Sequence, residues 1–75
     1  MAYVCEPPTF TGRLLGVRVA PSGREYVLVV DHRRDQFTVI PKPPEWERLQ
    51  GRTVHLARGD RDQEVVIQLD RGLSR

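Results

Sequence analysis

Phe10-Thr11-Gly12-Arg13-Leu14-Leu15-Gly16-Val17-Arg18-Val19 decides the fold. Phe10, Gly12 and Leu14 alternate with polar residues, so they share one face of an extended strand. Leu15, Val17 and Val19 continue the alternation on the other face. The phase therefore changes between Leu14 and Leu15, which predicts a bulge or sharp bend. Gly12 and Gly16 flank that point, where a missing Cβ allows unusual dihedrals or close approach of another backbone. A long, bent first strand is how a small sheet curls toward a barrel.

The pattern outward from this strand is also β. Pro21-Ser22-Gly23 reads as a turn, and Glu25 to Asp31 as the second strand. Its core, Tyr26 to Val30, is a continuous apolar run, expected of a strand buried on both faces or covered by a partner. His32-Arg33-Arg34-Asp35 forms a polar hairpin, and Gln36 to Ile40 the third strand. Pro41, Pro43 and Pro44 end that strand. Pro44 to Gln50 then reads as one or two helical turns, with Pro at the first position, Glu45 and Glu47 at the positive end of the dipole, and Gly51 at the left-handed cap. Trp46 and Leu49 should both face inward, with Trp46 largely buried. Arg52 to Ala57 and Glu64 to Leu69 complete five strands around an Arg58-to-Asp62 turn.

This order predicts a mostly β domain: a small five-stranded antiparallel SH3-like barrel with one short helical turn before strand four. An OB-like barrel is the alternative. Residues 1–9, with Pro7-Pro8 and no periodicity, are expected to form a flexible arm, residues 10–70 the barrel, and residues 71–75 a polar tail.

Composition narrows the chemistry. With 75 residues the chain buries only about 60% of its unfolded surface, leaving little room for a deep, dry active site. The longest apolar run falls far short of the roughly 20 residues a membrane span needs, and Met1 to Phe10 has no secretory-leader pattern, so a cytoplasmic protein with no membrane partner is expected. Cys5, the single cysteine, cannot form an internal disulfide or a thiolate metal site. His32 falls in a hairpin and His55 on the outward side of strand four; the two lack metal-ligand spacing, and no nucleophile stands next to a base in sequence. No catalytic residue, metal or cofactor is therefore expected, and the chain is read as a binding module rather than an enzyme.

The net charge is only +2, yet eleven of the twelve basic residues are Arg, Lys42 being the other. Arg grips phosphate or carboxylate with a planar fork; a GC-rich genome would give the same bias. In a meander the turn after strand two and the turn after strand four emerge at one end, which would gather Arg33, Arg34, Arg58 and Arg61 as phosphate contacts for DNA or RNA. Asp35, Asp60 and Asp62 dilute that field. The alternative partner is a protein, bound through a strand edge or the Val27/Val29 face.

Gly12-Arg13-Leu14-Leu15-Gly16-Val17, Val39-Ile40-Pro41, Glu47-Arg48-Leu49-Gln50-Gly51-Arg52-Thr53-Val54 and Leu69-Asp70-Arg71-Gly72-Leu73 together resemble an uncharacterised C-terminal domain of bacterial plasmid-mobilisation relaxases, over about residues 10–73. The chain departs from that pattern at Lys42, where the family often has Trp. The resemblance implies a mobile-element setting and a role accessory to DNA processing. It does not imply nicking, which relaxases carry out with a Tyr and a His cluster in another domain. Neither Tyr3 nor Tyr26 inherits that role.

Overall fold

A computed structural model describes residues 1–59 and 65–70. The elements are β1 (Ala2–Tyr3), β2 (Thr9–Val19), β3 (Glu25–Asp31), β4 (Gln36–Pro41), α1 (Trp46–Leu49), β5 (Thr53–Arg58) and β6 (Val65–Leu69). The chain is mostly β with one short helix, as the alternation predicts. The strands form one sheet in the order β1-β4-β3-β2-β5-β6, and the sheet is not closed.

β2 organises everything else because it is long enough to serve two partners. Its second half, Arg13 to Val19, pairs antiparallel with β3, and its first half, Thr9 to Arg13, pairs antiparallel with β5. The register with β3 slips between Leu14 and Gly16, at the predicted phase change. Leu15 is the extra residue and is exposed. At Gly12 the two halves of the sheet almost touch: a Cβ there would lie 2.6 Å from the Val30 carbonyl oxygen. Only glycine allows this crossing.

The strands do not follow one another as a simple meander. β5 returns to β2, not to β4. Pro43, Pro44 and α1 carry the chain across between them. The carbonyl of Pro43 accepts the first helical N–H, that of Trp46, and Gly51 leaves the helix at φ 77°, the left-handed cap expected of it. The Gly51 N–H then donates to the Leu14 carbonyl, tying the crossover to the bulge.

The core gathers Phe10, Leu14, Val27, Val29, Ile40, Leu49, Val54 and Leu56. Val27 and Val29 are completely buried, so the Val27/Val29 face cannot meet a partner. Leu49 is buried, but Trp46 is only half-buried and packs at the margin of the core. Trp46 and Leu49 lie on one helix face, but Trp46 opens the helix and its larger ring reaches the edge of the core, not its centre.

Residues 1–9 make specific contacts. β1 adds a parallel strand to β4, with Ala2 opposite Gln36 and Tyr3 opposite Phe37. The Val4 N–H donates to the Phe37 carbonyl, and the hydroxyl of Thr38, 1% exposed, donates to the Val4 carbonyl at 2.7 Å. The Tyr3 and Phe37 rings lie 5.4 Å apart, a tilted pair in the favourable range. Burial of an unmatched Thr38 hydroxyl would be costly, so this bond helps hold the arm on the sheet edge.

Candidate nucleic-acid interface

The β2 crossover creates a cleft. Beyond Gly12, β2 stays with β5 while β3 runs on into its hairpin. Between them lies a depression of about 670 Å³, whose walls include Arg13, His32, Arg33, Arg34, Thr11 and His55.

The hairpin itself is locally fixed. The Asp31 carboxylate accepts the backbone N–H groups of Arg33 at 3.1 Å and Arg34 at 3.3 Å, an Asx-type turn. Asp35 takes the left-handed conformation at φ 57°, which an Asp tolerates through its short polar side chain. Its carbonyl receives the Ala2 N–H, and its carboxylate lies 3.7 Å from the N-terminal ammonium. Of the nearby carboxylates, Asp31 is engaged by the hairpin amides and Asp35 by the N-terminus, while Asp31 and Asp70 both line the cleft and keep some negative charge there. No ion pair joins Arg13, Arg33 or Arg34 to a described residue. Their guanidinium groups are free to take an external anion.

The floor of the cleft carries a cross-strand row. Thr11 and His55 stand opposite each other on β2 and β5. The Thr11 hydroxyl lies 2.8 Å from His55 Nδ1, and His55 Nε2 lies 3.3 Å from an Asp70 carboxylate oxygen. A carboxylate can only accept, so Nε2 carries a hydrogen in this arrangement; with a neutral ring the Thr11 hydroxyl donates to Nδ1, and with a protonated ring Nδ1 donates to the hydroxyl. The order hydroxyl, imidazole, carboxylate is that of nucleophilic catalysis, but here both Thr11 and His55 are exposed on an open sheet surface. The row holds the imidazole between Thr11 and Asp70 across the strands. Periodicity correctly placed His55 facing outward; its two partners come from strands 44 residues apart and just beyond β6.

Of the three expected phosphate contacts among the described residues, two converge. Arg33 and Arg34 share the cleft. Arg58 has the parity of Leu56 and Val54, so it points inward at the end of β5, beside Pro7, Thr38, Ile40 and Val65. Its Nε is buried without a hydrogen-bond partner among the described residues. Arg61 lies outside the described residues. Arg13 is the cleft-lining arginine that sequence reasoning missed. Its outward parity was visible, but its neighbourhood depends on the register that sets it opposite Val30.

A second depression of about 490 Å³ lies at the other end of β3, lined by Arg24, Tyr26, Pro41 and Lys42 among others. Lys42 is 3.5 Å from Glu25, an ion pair at the edge of this hollow. Among the described residues no group of three or more His, Cys, Asp or Glu side chains could hold a metal ion. None of the described helices is long and apolar enough to cross a membrane. No family model matches the chain, no curated protein matches its sequence, and no solved structure matches its fold.

Proposed function

We propose that this chain is a non-enzymatic nucleic-acid-binding module whose phosphate contacts are Arg13, Arg33 and Arg34. The observation that carries the reading is the convergence on one cleft of three arginines that have no ion-pair partner among the described residues, two of them on a hairpin pinned by Asp31. Forked donors held at fixed spacing suit phosphate oxygens, and neutralising phosphates releases counterions.

The strand order supports the OB-type alternative over the SH3-like one. Setting β1 aside, β2 lies between β3 and β5, β4 follows β3, β6 follows β5, and the helical turn stands between β4 and β5. A partly open Greek-key sheet of this kind commonly binds oligonucleotides. The likeness to relaxase C-terminal domains would set the module in the bacterial cytoplasm, beside the DNA-processing machinery of a mobile element; that part of the proposal rests on the resemblance alone.

A protein partner is the second reading. With Val27 and Val29 buried, what supports it is the strand edge of β6, Val65-Val66-Ile67-Gln68-Leu69, which has one strand neighbour and carries no Lys, Arg or Pro to discourage pairing.

Fluorescence anisotropy of labelled oligonucleotides separates the two. The phosphate reading expects binding that weakens with salt and is lost on combining Arg13→Ala, Arg33→Ala and Arg34→Ala. Unchanged affinity in that triple variant overturns it.

A further inference from the structure

The two depressions are the ends of one surface. Thr38 and Ile40 of β4 and Val27 and Val29 of β3 face the core. The residues between them therefore face outward. The register aligns these outward residues in three rows across the sheet. Tyr3, Phe37 and Arg13 form the first, linked through Val30, which is itself buried and offers no contact surface; Val39, Leu28 and Gly16 form the second; Pro41, Tyr26 and Arg18 the third. Arg33 and Arg34 stand beside the first row, and Arg24 and Lys42 beside the third.

The face is thus an aromatic and aliphatic strip with cations at both ends. Gly16 keeps its middle flat, and the Arg18 guanidinium folds back over that glycine, where it would lie 3.0 Å from an added Cβ. Tyr3 is 52% exposed. Its phenol is raised above the ordinary 10.0, first by a hydrogen bond with the Cys5 side chain and then by desolvation, so the ring stays neutral near pH 7. Four residue steps along β3 from Tyr26 to Val30 span roughly 14 Å at ~3.4 Å each.

We propose that this outward face binds single-stranded nucleic acid, with bases stacked on Tyr26 and on the Tyr3–Phe37 pair and the backbone running from Arg33/Arg34 to Arg24/Lys42. The proposal rests on the phosphate reading and deepens it, because it names the strand state and the base contacts. Unpaired bases offer π-faces to aromatic rings, whereas in a duplex those faces are stacked away. The charge pattern is complementary: the apolar strip takes bases while Arg33 and Arg34 at one end and Arg24 at the other take phosphates, Lys42 reaching a phosphate only by leaving Glu25, 3.5 Å away. The strip has room for about two or three nucleotides, fewer than the roughly 4 to 16 that such modules cover, so it would serve as the stacking part of a longer path along the backbone.

The test is anisotropy with fluorescein-labelled dT10, rU10 and a 10-bp duplex, at matched salt, on the whole chain. The expected result is tighter binding of the single strands than of the duplex. Tyr26→Leu should weaken single-strand binding roughly 5- to 150-fold without altering its salt slope, and Tyr26→Phe should retain it. Circular dichroism of each variant confirms the fold. Equal affinity for duplex, or unchanged binding by Tyr26→Leu, overturns the proposal. If the Arg33→Ala/Arg34→Ala variant still weakens binding in that case, the phosphate reading survives it; if that variant also binds normally, both fall.

Discussion

Replacing Gly12 by Ala perturbs the crossing that makes both the bend and the cleft. The added Cβ would stand 2.6 Å from the Val30 carbonyl oxygen and 2.8 Å from its carbonyl carbon, with a Phe10 ring carbon at 3.1 Å. Ordinary van der Waals contact begins near 3.4 Å, so β2 and β3 would have to part by about 0.8 Å (3.4 − 2.6). The obstructing atoms are backbone, held by the β3–β4 ladder on the far side. They cannot rotate away as a side chain would. Overpacking of this kind costs typically about 1–3 kcal/mol. In a domain of this size each kcal/mol lowers Tm by about 4–8 °C. Gly16→Ala is the matched control. Its Cβ would meet only the mobile tip of Arg18, at 3.0 Å, and the substitution also narrows the unfolded ensemble. Thermal melts followed by circular dichroism should therefore show Gly12→Ala melting well below the parent, and Gly16→Ala within a few degrees of it. Equal melting of the two variants would refute the argument that backbone approach at Gly12, rather than glycine in general, shapes this sheet.

Thr38→Val removes the donor to the Val4 carbonyl and should cost about 1–2 kcal/mol; amide exchange at Val4 and Tyr3 should quicken more than exchange in β2, and uniform exchange would contradict a local tether. Leu49→Ala should cost about 2–5 kcal/mol, and Trp46→Ala, removing a half-buried ring, less than that range allows for a buried one; urea unfolding gives the comparison, and a larger loss at Trp46 would mean that the ring is the true plug of the core. Arg58→Met keeps the apolar stem against Ile40 and Val65 while deleting a buried Nε that finds no partner among the described residues. It should leave stability within ~0.5 kcal/mol of the parent or raise it, and should leave oligonucleotide affinity unchanged; a loss of affinity would return Arg58 to the binding surface.

The β character, the bulge and the helical cap were legible because each has a local cause. Leu14-Leu15 breaks a period of two, and Gly51 follows a helical turn; neither requires knowledge of a distant neighbour. The third strand's exit and the hairpin at His32 to Asp35 were legible for the same reason. Topology was not. That β2 would serve both β3 and β5 depends on how far the chain travels through Pro43, Pro44 and α1, and alternation carries no information about it. The candidate site inherits this limit. Arg33 and Arg34 could be read from a hairpin, but Arg13 joins them only through the Arg13–Val30 register, and Arg58 leaves them only because its parity points inward. Residues 1–9 hid their order because a two-residue strand such as β1 has no periodicity to display. What holds it there is non-local: backbone hydrogen bonds from Ala2 and Val4 to Asp35 and Phe37, the Thr38 hydroxyl, the N-terminal ion pair with Asp35 and the Tyr3–Phe37 ring pair.

The measurement that tests the account most directly is the salt dependence of dT10 binding, compared between the parent chain and the Arg33→Ala/Arg34→Ala variant. Each lost phosphate contact lowers the slope of log K against log salt by about 0.7 for a single strand. The account predicts that the variant binds more weakly and that its slope is shallower by roughly 1.4, two contacts' worth. Parallel slopes with equal affinities, or no binding by the parent chain even at low salt, would contradict it and turn attention to the β6 edge.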